Sequence, residues 1–306
     1  MDLGGCNLKY INYWNYFIVG VLGWFVLIGC HTNGGITNTA EREDAAEQRD
    51  IAERELDGGI TNSVGQRLMT AEEVEKLIRK ADCESWIKEN VDKDFLIGNV
   101  RRKVNPLFVK VDEAPAEREI YLIRPVYEAF REMYEAALHD GVKLIIISGH
   151  RTYIEQVCEW ELRWNNPRTE ITFADNVEKA GFILQYRSMP GASRHHWGTD
   201  IDLNSFKLEY YESREGQQVY QWLKDHAATF GFYQPYTGYD ENRRTGFQEE
   251  KWHWSYKPLS QPMLLKYIEL VSLDDIRGFK GDAAVKKLPI LSDWVCAINP
   301  QLKEDD

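Results

Sequence analysis

The chain of 306 residues has neither a CxxC nor a CxC pair among its five cysteines, so a zinc ribbon is excluded. It also lacks a basic run and carries a formal net charge of −12. Such a surface cannot neutralise a phosphate backbone, so nucleic acid is set aside as a partner. There is no glycine-rich phosphate loop and no regular strand–helix–strand rhythm. Helical and strand-like stretches are instead mixed irregularly, which points to an α+β fold: a central antiparallel sheet flanked by helices. Aromatic residues are plentiful at 12%, with ten tryptophans, which suits well-filled cores and a stacking groove.

The apolar stretch "YFIVGVLGWFVLIGC" is roughly 14 residues long and ends at Cys30, short of the ~20 a spanning helix needs. Its last four residues, "LIGC", resemble a bacterial lipoprotein box, in which the cysteine is lipidated and becomes the new N-terminus. The alternative is an uncleaved anchor beginning near Tyr13. Either reading places the rest of the chain in the bacterial cell envelope, outside the cytoplasmic membrane and tied to it through Cys30 or the anchor. Residues 31–65 read as an acidic flexible tether. "GGITN" occurs twice there, bracketing a stretch with eight acids and three arginines that cannot bury a core of its own.

The folded domain is expected from residue 66 to the end. "TAEE" supplies a capping box at Thr70 and Glu73. A stronger helix begins at Pro125, carries Val126, Phe130, Met133 and Ala137 at helical spacing, and stops at Gly141. "VKLIIIS" reads as a buried strand, followed by helices near Ile154–Trp164 and Ala174–Ala180. "DIDLN" and "KWHWSY" read as strands, "EGQQVYQWLKDHAATFG" as a helix stopped by Gly231, and Met263–Val271 as a closing helix.

Chemistry concentrates in two of these strands. With a period of two, Asp200, Asp202 and Asn204 share one face while Ile201 and Leu203 point into a core. In "KWHWSY", His253 and Ser255 share a face. If the strands are neighbours, an aspartate and a histidine converge on one side of the sheet. His195 comes from the loop seven residues before Asp202, with Gly198 freeing the turn. Two imidazoles and one carboxylate are a familiar catalytic zinc set, with the fourth position left for water. Glu250, three residues before His253, is within reach of that water.

These residues resemble a known family. "SRHHWGTDID" fits a Ser-x-His-x-x-Gly-x-x-x-Asp element, "EKWH" a Glu-x-Trp-His element, and "SGHRTYIEQ" a third, usually Ser-Gly-Tyr-Arg-Ser. All three, in this order, mark VanY-type D-alanyl-D-alanine carboxypeptidases, within the wider group that includes lysostaphin-type peptidases and the hedgehog signalling domain. The resemblance spans roughly residues 95–270. It implies one Zn2+ held by His195, Asp202 and His253 on one face of the sheet, with Glu250 as general base. It implies that Arg151 binds substrate, either supporting the oxyanion or gripping a C-terminal carboxylate, and that Gln156 and Ser193 help hold the terminal D-residue.

Two positions depart from the pattern. His150 replaces an aromatic residue, and Asp200 stands where the family often has alanine. Asp200 is read as a partner orienting a ligand histidine, the alternative being a competing ligand; His196 is read as structural. The function implied is removal of C-terminal D-alanine from peptidoglycan stem peptides. L,D-carboxypeptidase or endopeptidase activity on the same scaffold, or a wall-binding module without catalysis, are the alternatives.

Overall fold

The computed structural model describes residues 83–112, 119–165 and 172–303. These residues all fall within one compact unit, Arg79–Asp306. The leader with Cys30, the tether and the Thr70 capping box lie outside the described residues. Strand β1 (Phe108–Lys110) pairs with β2 (Tyr121–Ile123), which runs directly into helix α1 (Arg124–His139). Pro125 occupies the first turn of α1, where a backbone N–H has no partner to lose. Val126, Phe130, Met133 and Ala137 form its inward stripe and are fully buried. Among the described residues, no helix is long and apolar enough to cross a membrane.

The main sheet has four strands in the order β3 (Ile146–Ser148), β4 (Asp200–Leu203), β6 (His253–Tyr256) and β5 (Phe232–Tyr233), every neighbouring pair antiparallel. Helices α2 (Tyr153–Trp164), α3 (Asn176–Leu184), α4 (Arg214–His226) and α5 (Lys257–Leu270) accompany it. The α+β class with an antiparallel sheet and helices is therefore the observed architecture.

The elements differ from the sequence-based expectation mainly at their ends. The "VKLIIIS" strand shrinks to Ile146–Ser148 because Asn204 takes over the ladder beyond it. Asn204 adopts φ 59°, its side-chain oxygen accepts the Ile145 N–H at 3.2 Å, and its amide donates to the Lys143 carbonyl at 2.9 Å. The closing helix begins at Lys257, six positions before Met263, straight from β6; Pro258 fits its first turn and Pro262 is accommodated inside it. The segment after α5 consists of short turns rather than long helices, yet Val285, Ile290, Val295, Ile298 and Leu302 anchor it in the core.

Candidate metal centre

The register of β4 on β6 does what the period-two pattern requires. Asp202 lies directly opposite His253, and Asp200 opposite Ser255. Alternation places all four on one face of the strand pair. His195 arrives on a 3-10 turn, Arg194–Trp197, that ends at Gly198 in the left-handed region, φ 70°. A Cβ at Gly198 would lie 3.1 Å from Phe108 and 3.2 Å from Ile123, so the turn needs glycine for its angle and for its closeness to neighbours. The loop after β3 completes the frame: the Arg151 N–H donates to the His195 carbonyl at 3.0 Å.

One ligand atom from each of His195, Asp202 and His253 lies within 4.8 Å of the others, and all three residues are buried. The hydrogen bonds select which ring nitrogens face inward. His195 Nδ1 is 2.9 Å from the Gly149 carbonyl, which can only accept, so Nδ1 carries the hydrogen and Nε2 offers its lone pair. That Nε2 lies 3.3 Å from Asp202 Oδ2. His253 Nε2 points 3.0 Å to Asp200 Oδ1, leaving Nδ1 toward Asp202 Oδ1 at 3.8 Å and Glu250 Oε2 at 2.8 Å.

This arrangement asks for a cation. Burial holds the His195 ring below its ordinary pKa, so its Nε2 lone pair faces a carboxylate oxygen with no proton between them. Asp202 Oδ1 is buried with no hydrogen-bond partner, a costly state for an anionic oxygen. At His253, burial works against a positive charge, but the hydrogen bonds to Asp200 and Glu250 outweigh it and raise its pKa to about 10. Two imidazole nitrogens and one carboxylate at this spacing fit a zinc ion.

The other predicted residues gather around this core in different ways. The Glu250 side chain is one-fifth exposed and opens beside His253 Nδ1. Arg151 is half-buried, donating to Gln156 Oε1 at 2.8 Å and Ser148 Oγ at 3.2 Å. Gln156 is fully buried and uses both ends of its amide, the second donating to the Ser188 carbonyl at 2.6 Å, so it reaches the site through Arg151. Ser193 is buried immediately before the His195 turn. His196 is structural: its Nδ1 meets the Arg151 carbonyl at 2.7 Å and its Nε2 accepts the Gly191 N–H at 3.0 Å. His150 packs edge-on against Phe108, with centroids 4.4 Å apart and neither nitrogen hydrogen-bonded. Burial holds its pKa well below normal, so it sits as a neutral ring where the resemblance expects an aromatic one.

Asp200 lies at the Nε2 side of His253, across the ring from the nitrogen that faces Asp202 and Glu250. Two arginines are not anticipated by the sequence patterns. Arg194 pairs with Asp200 at 2.9 Å, and its only signal is its place inside "SRHH". Arg102 grips Glu155 through two bonds of 2.5 and 2.6 Å and also donates to the His150 carbonyl at 3.0 Å. No local pattern in the sequence links positions 48 and 53 residues apart.

Residues 119–259 match the VanY family, described as D-alanyl-D-alanine carboxypeptidase. The matched segment, somewhat under half of the chain, resembles a VanY domain. It contains every residue predicted for the metal centre and its surroundings. A D-alanyl-D-alanine carboxypeptidase of Enterococcus faecalis is 28% identical over 128 residues, covering 41% of this chain and 44% of that protein. One from Enterococcus faecium is 26% identical over 151 residues, covering 49% of this chain and 42% of that protein. The chain thus matches less than half the length of these two relatives. The crystal structure of a vancomycin-resistance D,D-pentapeptidase VanY mutant in complex with Zn(II) is 19% identical, with a TM-score of 0.41, covering 60% of this chain and 91% of that one.

Proposed function

We propose that the VanY-like domain is a zinc-dependent D-alanyl-D-alanine carboxypeptidase acting on peptidoglycan stem peptides. The observation that carries this reading is the lone-pair confrontation between His195 Nε2 and Asp202 Oδ2 at 3.3 Å, beside an unpartnered Asp202 Oδ1. A dication resolves both at once. His195, Asp202 and His253 would hold one Zn2+, which when bound supplies a Lewis acid that acidifies water and polarises an amide carbonyl.

The chain's own groups then do the rest. Glu250, partly exposed at the rim, accepts a proton from the attacking water and returns it to the departing amine nitrogen. Arg151 offers a guanidinium that Gln156 and Ser148 hold in one orientation. Its geometry suits a two-pronged grip on the substrate's C-terminal carboxylate, the part of a substrate that distinguishes a carboxypeptidase from an endopeptidase. Ser193, buried at the start of the His195 turn, is the residue proposed to line the same terminal residue. The lipoprotein-like end of the leader supports anchorage through Cys30, outside the cytoplasmic membrane and within reach of the wall.

The test is to incubate zinc-loaded protein with stem peptides ending in D-Ala-D-Ala and in a single D-Ala, with and without chelator, and to weigh the products. Chelator-sensitive loss of one D-alanine from the first peptide is the expected result. Loss only from the second would move the activity to the L,D bond. No cleavage of either by zinc-loaded protein would contradict carboxypeptidase function.

A further inference from the structure

Behind His253, on the side away from Asp202 and Glu250, lies a buried polar cluster that supplies no metal ligand. Asp200 is its centre and is fully buried. Its Oδ1 accepts from Arg194 Nε at 2.9 Å and faces His253 Nε2 at 3.0 Å. Its Oδ2 accepts from Thr199 Oγ1 at 2.6 Å and from Ser255 Oγ at 3.1 Å. Arg194 Nη2 closes the ring by donating to Ser255 Oγ at 2.7 Å, and the guanidinium lies 4.7 Å over the Trp197 ring. The Arg194 side chain is 1% exposed.

We infer that Arg194 and Asp200 form a coupled positioning pair for the ligand His253, an inference that rests on the metal-centre reading above. Asp200 takes the Nε2 hydrogen of His253, which fixes the ring with Nδ1 toward Asp202; carboxylates behind ligand histidines act this way at metal sites generally. A carboxylate has about four lone-pair positions, and all four of Asp200 are taken, so it keeps no free position for the metal. Arg194 makes that placement tolerable. Asp200 alone would be an uncompensated buried charge close to the metal-binding carboxylate, and Arg194 alone would be an uncompensated buried cation.

The two residues occupy variable positions of the Ser-x-His-x-x-Gly-x-x-x-Asp element, and alanine is common at the second. The departure at Asp200 thus comes with its own counter-charge six residues earlier in the same stretch, folded back by the His195 turn. Neither residue makes physical sense without the other.

The experiment uses the full chain and four variants: Asp200→Ala, Arg194→Met, the two combined, and Asp200→Asn. Zinc affinity is measured by competition with a chelator of known affinity, and Tm is measured on the zinc-free proteins. Asp200→Ala should weaken zinc binding by about 10- to 100-fold. Arg194→Met should lower the zinc-free Tm, and so should Asp200→Ala.

The double variant should recover part of the Tm lost by either single change, because no buried charge is left unpaired, while its zinc affinity stays at the Asp200→Ala level. Asp200→Asn keeps an acceptor for His253 Nε2 without the charge. It should bind zinc more tightly than Asp200→Ala, a rescue that a purely structural role would not produce.

Unchanged zinc affinity in Asp200→Ala would overturn the inference, as would Tm losses that simply add in the double variant. Should Arg194→Met not fold, the affinities of the two Asp200 variants still decide. Parent protein that binds no zinc would sink the metal-centre reading itself; parent protein that binds zinc normally beside an unaffected Asp200→Ala would sink only the pairing.

Discussion

The strand pair β4–β6 and the segment from Gly149 to Gln156, a loop that runs into α2, both deliver candidate side chains to one site, but they hold them by different means. On the strands, main-chain register sets Asp202 opposite His253, and no side-chain contact is needed to bring them together. On the loop, Arg151 is aimed by side chains: Gln156 and Ser148 hold the guanidinium, and the Arg102–Glu155 clamp braces the adjoining backbone. The proposed ligands Asp202 and His253 therefore sit on paired strands, where about half an ångström of drift would spoil a coordination shell. The proposed substrate grip of Arg151 sits where single side-chain changes can retune it. Damage on the strands should remove metal and turnover together, whereas damage on the loop should leave metal in place and weaken substrate binding.

The sharpest way to break this contrast is His253→Ala. It should lose zinc and hydrolysis together, read by metal content and product mass on one preparation; retained stoichiometric zinc would remove His253 from the ligand set. Glu250→Gln stands between the two regions, next to the ligands without being one. It should keep one zinc per chain while kcat falls by about 10²- to 10⁴-fold, the usual worth of a positioned general base.

On the loop, Arg151→Lys should retain zinc and raise KM for peptides with a free C-terminal carboxylate by about tenfold, near 1.4 kcal/mol of lost two-pronged binding. The same change should have little effect on C-terminally amidated peptides, which measures the carboxylate grip alone. Gln156→Leu should shift KM in the same direction by less, because it acts only through Arg151.

The smallest effect belongs to Arg102→Ala. Its partner Glu155 has a side chain 45% exposed, so solvent screens the pair. The expected loss of stability is under about 1 kcal/mol, read from denaturant midpoints, with zinc affinity unchanged.

How much of this is legible in the chain follows from the kind of constraint involved. Alternation along "DIDLN" and "HWSY" is a local property, so the shared face of Asp202 and His253 can be read from the residues alone, as can the inward stripe of α1. The strand pairing is only conditional at that level, and the register of β4 on β6 supplies it. Arg194 is illegible because its meaning depends on a turn that folds it back under Asp200. Arg102 is illegible because it meets Glu155 from 53 residues away. Gln156 resembles a substrate contact in the motif, but its burial leaves both amide ends already in use. The start of α5 is displaced because two prolines stand in its first turns, where the helix tolerates them better than a pattern-based expectation does.

Diffraction at the zinc absorption edge, from crystals of the zinc-loaded protein, addresses the metal centre itself. One anomalous peak is expected, about 2.0–2.2 Å from His195 Nε2, His253 Nδ1 and a carboxylate oxygen of Asp202, with Asp200 outside bonding distance. A zinc-loaded crystal with no peak between these three residues, or with the ion bound to Asp200 in place of Asp202, would contradict the assignment of this centre.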